Sequence, residues 1–591
     1  MSTPQKTWQR ADTFILAALL AIAAFWTAFH IHWPWTPMED AAMLLRYSQH
    51  LAAGHGIRWS LNQAPVDGAT DFLYMALIAA VSRLTHLDVV TSSRWINIVA
   101  QLLSVALIYR GARRLNASRW LAVAAALYLT TGPFIGLTNA CFGAPVFGFF
   151  LLACWHFGLR YALEARTWSN AFAMAAFGLL AGLTRPEGVL IALLLLIATL
   201  YLAHTPSFPT PTDLSSRPKA ERSAAERPAV ETTTHLLLSY LLLFGLLGGA
   251  YFAWRWRYFG YPLPNPFYIK GDGHLYPDSV LHAAMNLITL LLPWLPLLPL
   301  GWLNPATRRL TNALLIVLIP FTLMWVLLSN ANNHLSRFQY AIVPLVLMTL
   351  PVLFPLEWLA QLTTPGAPSA PTVSSSAKVG LQNPSPTNSF ALKLAAVLAI
   401  VASTLYVSRI TDYTETAWGM RTFAQRLAPL APRGYTMAVT EAGALPLYSD
   451  WNTVDIIGLN DSYIAHHHHI DAAYLDRTHP ELIMVHIDRS VPEQYLPNGF
   501  AQPPHPGAAY NAEFANLYAV THGYTLAAAW GADQCNLHLY WLRPGFPDYT
   551  TVLADIRDHP YIFLDDAYLS HDYRNDMDSM RGCAAPEGPT P

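Results

Sequence analysis

Two carboxylates stand side by side in Met38-Glu39-Asp40-Ala41, at the head of a stretch with helical spacing. An ionised carboxylate can take the proton of a hydroxyl as that oxygen attacks. Acids at a helix start also serve as caps. Both roles fit the pattern, one acid capping while its neighbour reacts, and either acid can be the base. Cations stand in similar polar islands. Arg185 and Glu187 lie in Thr184-Arg185-Pro186-Glu187-Gly188, and Lys270 ends Pro264-Asn265-Pro266-Phe267-Tyr268-Ile269-Lys270. Arg337 lies in His334-Leu335-Ser336-Arg337-Phe338. A cation opening a helix opposes the dipole, so Arg337 implies a nearby anion, either a bound lipid phosphate or an ordinary headgroup. Arg185 and Glu187 can equally neutralise each other across a Pro/Gly turn. The Pro264–Lys270 stretch, taken alone, reads as an aromatic interfacial belt stiffened by proline.

Long apolar helices must position these islands. The 591 residues are 53% hydrophobic and 12% charged, against about 25% charged in soluble domains. With repeated apolar runs, that deficit defines a polytopic membrane protein. A net charge of -2 gives no basic excess, so nucleic acid is not an expected partner. Apolar runs predict helices near 14–31, 94–110, 119–137, 142–161, 169–184, 188–204, 235–255, 279–300, 310–329, 339–356 and 391–408. The Phe72–Leu84 run is too short to span and reads as interfacial. If it does not cross, Arg110, Arg113, Arg114, Arg119, Arg308 and Arg309 all fall on the cytoplasmic side, as the positive-inside rule prefers. The expected fold is therefore about eleven transmembrane helices, N-terminus inside and C-terminus outside, with every polar island on the outer face. Residues 1–408 form the membrane domain, with a first outer loop at 32–93. Two Pro/Ser/Thr-rich stretches, 205–233 and 363–389, read as cytoplasmic loops.

Residues 409–591 form a soluble extracytoplasmic α/β domain. Strands are expected at Tyr435–Thr440, Val454–Leu459, Leu482–Ile487 and Leu537–Leu542, and a helix at Thr414–Leu427. Cys535 and Cys583 can form a disulfide if this tail lies outside the cytosol, whereas Cys141 and Cys154 read as inert residues of apolar helices. His466 to His469 cannot all bind one metal ion, being consecutive, and read as a solvated loop in which His466 can still line a site.

Several of these motifs resemble those of polyprenyl-phosphate-dependent GT-C glycosyltransferases, the mycobacterial terminal arabinofuranosyltransferases and their bacterial relatives among them. The first loop matches in Glu39-Asp40, Arg46-Tyr47, Gly54-His55-Gly56, Asn62, Gly68 and Asp71-Phe72-Leu73, with Asp71 where Asn is usual. The Thr184–Gly188 motif, the Leu263–Lys270 stretch and Arg337 before the Pro344 helix also match. In the tail, Glu441-Ala442-Gly443 and Asp455-Ile456-Ile457-Gly458-Leu459-Asn460-Asp461 match, with Glu441 where Asp is usual. The family's Gly-x-Glu-Thr at the fourth span is here Gly143-Ala144-Pro145-Val146, without the acid.

The resemblance implies transfer of a sugar, such as arabinofuranose or another pentose or hexose, from a polyprenyl phosphate to a cell-envelope glycan or lipid. It implies a bacterial inner-membrane location and inversion at the anomeric carbon. Asp40 or Glu39 would be the base, with Asp40 preferred because the family keeps Asp second. Arg46, Tyr47, Arg185, Asn265, Tyr268, Lys270 and Arg337 would bind the donor. Glu187, His334, Glu441, Asp455, Asn460 and His466 would line the cavity. A monophosphate can leave with protein cations alone, so no metal and no obligatory cofactor is expected. The expected partners are membrane lipid, the lipid-linked sugar and the acceptor. A lipid transporter or flippase would instead need ionisable groups near mid-bilayer, which these spans almost lack. A non-catalytic envelope scaffold would tolerate loss of Glu39 and Asp40.

Overall fold

The structure, a computed structural model, describes residues 8–204, 233–270, 275–327, 333–354, 398, 401–409, 412–413, 418–488, 508–533 and 536–558. Its first part runs through α1 (Arg10–His30), α2 (Glu39–Ala52), α3 (Phe72–Thr85), α4 (Val89–Arg114) and α5 (Arg119–Thr131). It continues through α6 (Phe134–Asn139), α7 (Ala144–Leu163), α8 (Trp168–Thr184) and α9 (Glu187–His204). Seven helices among the described residues are long and apolar enough to cross a bilayer. The pair His334–Tyr340 and Val343–Val352, bent by 53°, makes an eighth. The chain is thus a multi-pass membrane protein.

Apolar helices form here because the bilayer offers no other partner for backbone polar groups. The expected run at 279–300 is broken. Its helix, Pro277–Leu291, stops before Pro293 and Pro296 and resumes at Leu297–Leu303. α3 is a 14-residue helix, as its short apolar run requires. Residues 401–409 are helical, while the earlier part of the run at 391–408 lies largely outside the described residues. So do the two Pro/Ser/Thr-rich stretches, apart from Thr233.

Buried polar contacts fix the two ends of the bundle. At one end Asp12 accepts hydrogen bonds from Tyr109 Oη (2.9 Å), Arg113 Nε (3.0 Å) and Arg119 Nε (3.1 Å). The start of α1 and the α4–α5 turn therefore share one face, as the arginine distribution requires. At the other end Arg94 donates to the carbonyls of Trp33 (2.6 Å), Trp35 (2.8 Å) and Asn139 (3.0 Å), tying the loop after α1 to α6.

The tail is built on a five-stranded sheet of order β2-β1-β3-β5-β4. The strands are β1 (Thr436–Val439), β2 (Asn452–Asp455), β3 (Leu482–Asp488), β4 (Thr525–Asp533) and β5 (Asn536–Leu542). β1 runs parallel to β2 and β3, and β5 runs antiparallel to β3 and β4. A helix covers Trp418–Leu427, while Thr414 to Thr416 and Ala417 lie outside the described residues.

Three details depart from the sequence reading. β2 ends at Asp455 rather than running to Leu459. The Asp455 carboxylate accepts from the backbone N–H groups of Ile457 (3.0 Å), Gly458 (3.2 Å) and Asn460 (2.9 Å), and so turns the chain. A short helix, Ala444–Ser449, stands between the Glu441-Ala442-Gly443 turn and β2. β4 adds a strand whose Ala-rich sequence carries one β-branched residue, Thr525, and so gives little strand signal.

The tail is not a separate body. Its core on one side of the sheet includes Tyr47, Trp59 and Met75 from the stretch between α1 and α4, packed with Phe423, Met437, Trp451 and Tyr540. α2 is accordingly wedged between α3 and the Ala444–Ser449 helix, with Ala41, Ala42, Leu45 and Tyr47 buried, rather than lying on the bilayer. Gly54 (φ 89°) and Gly56 (φ 79°) end it in left-handed backbone that other residues adopt at a cost.

Candidate functional site

A cavity of ≈ 380 Å³ opens where α2, the α6–α7 turn, the α8–α9 turn, the 263–267 loop, the start of the bent pair and the tail's Leu459-Asn460 meet. Its polar walls are Asp40, Asp71, Arg185, Glu187, Arg337 and Asn460. Leu263, Phe267, Trp325, Phe338 and Phe142 are among its apolar lining residues. Residues spread over more than four hundred positions of the chain (Asp40 to Asn460) converge there.

The two adjacent acids point to different partners. Asp40 faces the cavity and accepts from Arg337 Nη2 at 2.5 Å. Glu39 turns to the tail, where both carboxylate oxygens accept from the Ala444 N–H at 3.1 and 3.2 Å. Gly443 is needed there, because a Cβ would overlap the Glu39 carboxylate and backbone. Burial, reinforced by nearby Glu441, raises the Glu39 pKa, whereas Ala444 and Gly443 hold it down more weakly. Neither acid caps α2. The N-cap is Met38, and it makes no side-chain cap bond.

Arg337 is held against aromatic faces, 4.2 Å from the Phe142 ring centre and 5.1 Å from that of Phe338. Its Nε is buried with no hydrogen-bond partner. A buried guanidinium donor left unsatisfied is costly, and it suits an incoming acceptor. Arg185 bridges two acids, Glu187 at 2.6 Å and Asp71 at 3.3 Å, and stacks over Phe338 at 5.2 Å. Burial pushes the Asp71 carboxyl up while Arg185 draws it down.

Other residues singled out in the sequence serve the architecture. Arg46 does not reach the cavity. It is 1% exposed and donates to the carbonyls of Trp59 (2.7 Å), Trp451 (2.6 Å) and Pro446, locking α2 to the tail. Arg46→Gln is therefore expected to destabilise the protein by about 1–3 kcal/mol, by leaving buried carbonyls unsatisfied, with an unchanged KM for the lipid donor. Thermal melts beside donor titrations check this; a raised KM at unchanged stability would return Arg46 to a binding role.

Tyr47 is buried and donates to Asn460 Oδ1 at 3.1 Å. Asn460 lines the cavity, and Asp455 behind it accepts from Asn460 Nδ2 at 2.8 Å. Burial lifts the Asp455 carboxyl to about 6 against those hydrogen bonds. Asn265 is buried beside the cavity with Nδ2 unpartnered, and its backbone N–H donates to Asp67 O at 2.9 Å. His466 stacks on Tyr261 (3.7 Å) and packs at a tilt against Tyr268 (4.4 Å) rather than lining the cavity. His334 sits in a tight 3-10 turn before Arg337, outside the lining. Glu441 lies behind Glu39 and pairs with His486. The side chain of Lys270, Cys535 and Cys583 all lie outside the described residues.

Among the lining residues not singled out as site residues in the sequence are Asp71, Phe142, Phe338 and Trp325. Only Asp71 carried a signal, as an acid in place of the usual Asn. Cys141 is not helical as expected. It sits in the turn before α7 with a left-handed φ of 65° and lines the cavity.

A carboxylate paired with a buried guanidinium and an aromatic wall thus stand in a chain whose fold is of GT-C type. Comparison with solved structures supports the fold. ArnT from Cupriavidus metallidurans in the apo state superposes with a TM-score of 0.52 at 14% identity, over 90% of this chain and 98% of its own. The same protein bound to undecaprenyl phosphate gives 0.52 at 13% identity, over 89% and 97%. The archaeal oligosaccharyltransferase AglB from Archaeoglobus fulgidus, in complex with an inhibitory peptide and a dolichol-phosphate, gives 0.50 at 12% identity, over 91% and 75%. Residues 409–551 match the model of a family described as a domain of unknown function, DUF8728. No curated protein matches the chain.

Proposed function

We propose that this protein is a membrane glycosyltransferase that moves a sugar from a polyprenyl phosphate to a hydroxyl of a cell-envelope glycan or lipid, on the extracytoplasmic face, with inversion. The observation that carries the reading is the Asp40–Arg337 pair on the wall of the ≈ 380 Å³ cavity. ArnT bound to undecaprenyl phosphate and AglB with a dolichol-phosphate, both of this fold, support a polyprenyl carrier.

Asp40 takes the acceptor's hydroxyl proton as that oxygen bonds to the anomeric carbon. The bond from the anomeric carbon to the phosphate oxygen breaks, and its electron pair leaves with the polyprenyl phosphate. Arg337 meets the charge that develops there, and its guanidinium also holds the Asp40 carboxyl in place by a hydrogen bond. The prenyl chain lies along Leu263, Phe267, Trp325 and Phe338, where apolar contact replaces lipid. Three acids (Asp40, Asp71, Glu187) face two arginines (Arg185, Arg337) in the lining.

The test uses purified full-length protein in lipid nanodiscs with a panel of polyprenyl-phosphate sugars. Release of polyprenyl phosphate with gain of an acceptor glycoside is expected. A reporter fused after Ser408 should be active only outside the cytosol. A protein that releases no sugar but moves lipid across reconstituted vesicles would instead be a transporter.

A further inference from the structure

Behind Glu39, three side chains from separate strands meet in a way the transfer reaction does not use. β3 and β5 pair antiparallel in a register that sets His486 opposite His538. Their rings stack with centres 4.4 Å apart and planes 21° from parallel. Glu441 is brought to the same place from the end of β1. The Thr440 N–H donates to Met484 O (3.1 Å), and the His486 N–H donates to Thr440 Oγ1 (2.7 Å), which extends the β1–β3 pairing past the strand end. Glu441 Oε1 then lies 3.0 Å from His486 Nδ1 and 3.8 Å from His538 Nε2.

We propose that Glu441, His486 and His538 form a binding site for a divalent transition-metal ion of the zinc type. One ligand atom from each lies within 4.8 Å of the other two. Tetrahedral zinc places its N and O ligands about 2.0–2.2 Å from the ion, so neighbouring ligands stand roughly 3.3 Å apart. All three side chains are partly exposed, which leaves them room to rotate toward a shared ion. Two imidazoles and one carboxylate match zinc and its neighbours rather than calcium or magnesium, which prefer all-oxygen shells. Three protein ligands leave a fourth position for water.

The ion's place in the fold indicates its task. It would join β1, β3 and β5 at the root of the Glu441–Ala444 turn, the segment whose Ala444 N–H holds Glu39. The carboxylate next along α2 is Asp40. A metal here would therefore stiffen the seat of the acid pair from the tail side without touching the cavity. The inference does not depend on which reaction the cavity performs, and its test reads no activity.

Metal content of the purified full-length protein is measured after exposure to zinc sulfate and exhaustive dialysis. About one zinc per chain is expected, with chelation by EDTA lowering the melting temperature by several degrees. His538→Asn and Glu441→Gln should each reduce bound zinc to near none and abolish the chelator's effect on melting. The run at His467, His468 and His469 could hold zinc adventitiously, so a variant with all three changed to Ala is included; it should keep its zinc. In case the site variants misfold, cobalt is added to the wild type, where tetrahedral visible bands should appear and be displaced by zinc. Wild type without stoichiometric zinc or cobalt bands, or zinc lost with the His467–His469 variant, overturns the site and leaves Glu441 as an ion-pair partner of the two histidines.

Discussion

Asp40→Asn is expected to lower sugar transfer by about 10²-fold or more while the protein stays folded and still binds polyprenyl phosphate. Asparagine keeps the size of the side chain and an oxygen acceptor for Arg337 Nη2, so the geometry at 2.5 Å has little reason to change. It removes the proton acceptor. The comparison with Glu39→Gln makes the result specific. Glu39 spends both oxygens on the Ala444 N–H, and burial favours its protonated form. A glutamine there retains the acceptor oxygen, so transfer should fall far less than with Asp40→Asn. Initial rates of both variants with one lipid-linked sugar decide the matter. A large loss in Glu39→Gln beside near-normal Asp40→Asn would move the base to Glu39.

Arg337→Gln is expected to cost about 10²–10³ in kcat, the range seen when a preorganised donor to developing charge is removed. Two effects combine. The leaving phosphate loses its nearest cation, and Asp40 loses the partner that holds its carboxyl in place. The two residues therefore act as one unit, and their losses should not add. The Asp40→Asn/Arg337→Gln double variant should be little slower than the worse single variant. Arg337→Lys should recover only part of the rate, because a point charge cannot bond to Asp40 and phosphate with the same fixed fork. Single-turnover rates and donor titrations across the four proteins check this. Fully additive losses would show that Arg337 and Asp40 serve separate steps.

The fold was largely legible because the bilayer simplifies the code. A span must be apolar throughout and long enough, and arginine-rich turns mark one side. The short α3, the helix at α2 and the ends of most spans follow from those rules. Pro293 and Pro296 break the 279–300 run into two helices, a break that apolar length does not report. In the tail, Asp455 ended β2 early by binding three backbone N–H groups, an event no periodicity reports.

The site was legible as a set of residues and not as a set of partners. Sequence placed Asp40, Arg185, Glu187, Arg337 and Asn460 on one face, because charged groups near a membrane must cluster where water or a ligand meets them. Arg46 looked like another phosphate cation, yet its donors belong to three carbonyls. Nothing local distinguishes an arginine that docks a domain from one that meets a substrate. His486 and His538 are 52 positions apart, and only the antiparallel register of β3 and β5 stacks them. Composition and spacing by themselves determined a multi-pass membrane protein with a C-terminal α/β region and clustered polar islands, since apolar length and charge distribution are properties of the chain. Which of two adjacent acids faces the cavity, and which arginine it meets, was decided only by tertiary structure. Successive residues on a helix point about 100° apart, and their partners come from helices, turns and strands hundreds of residues away.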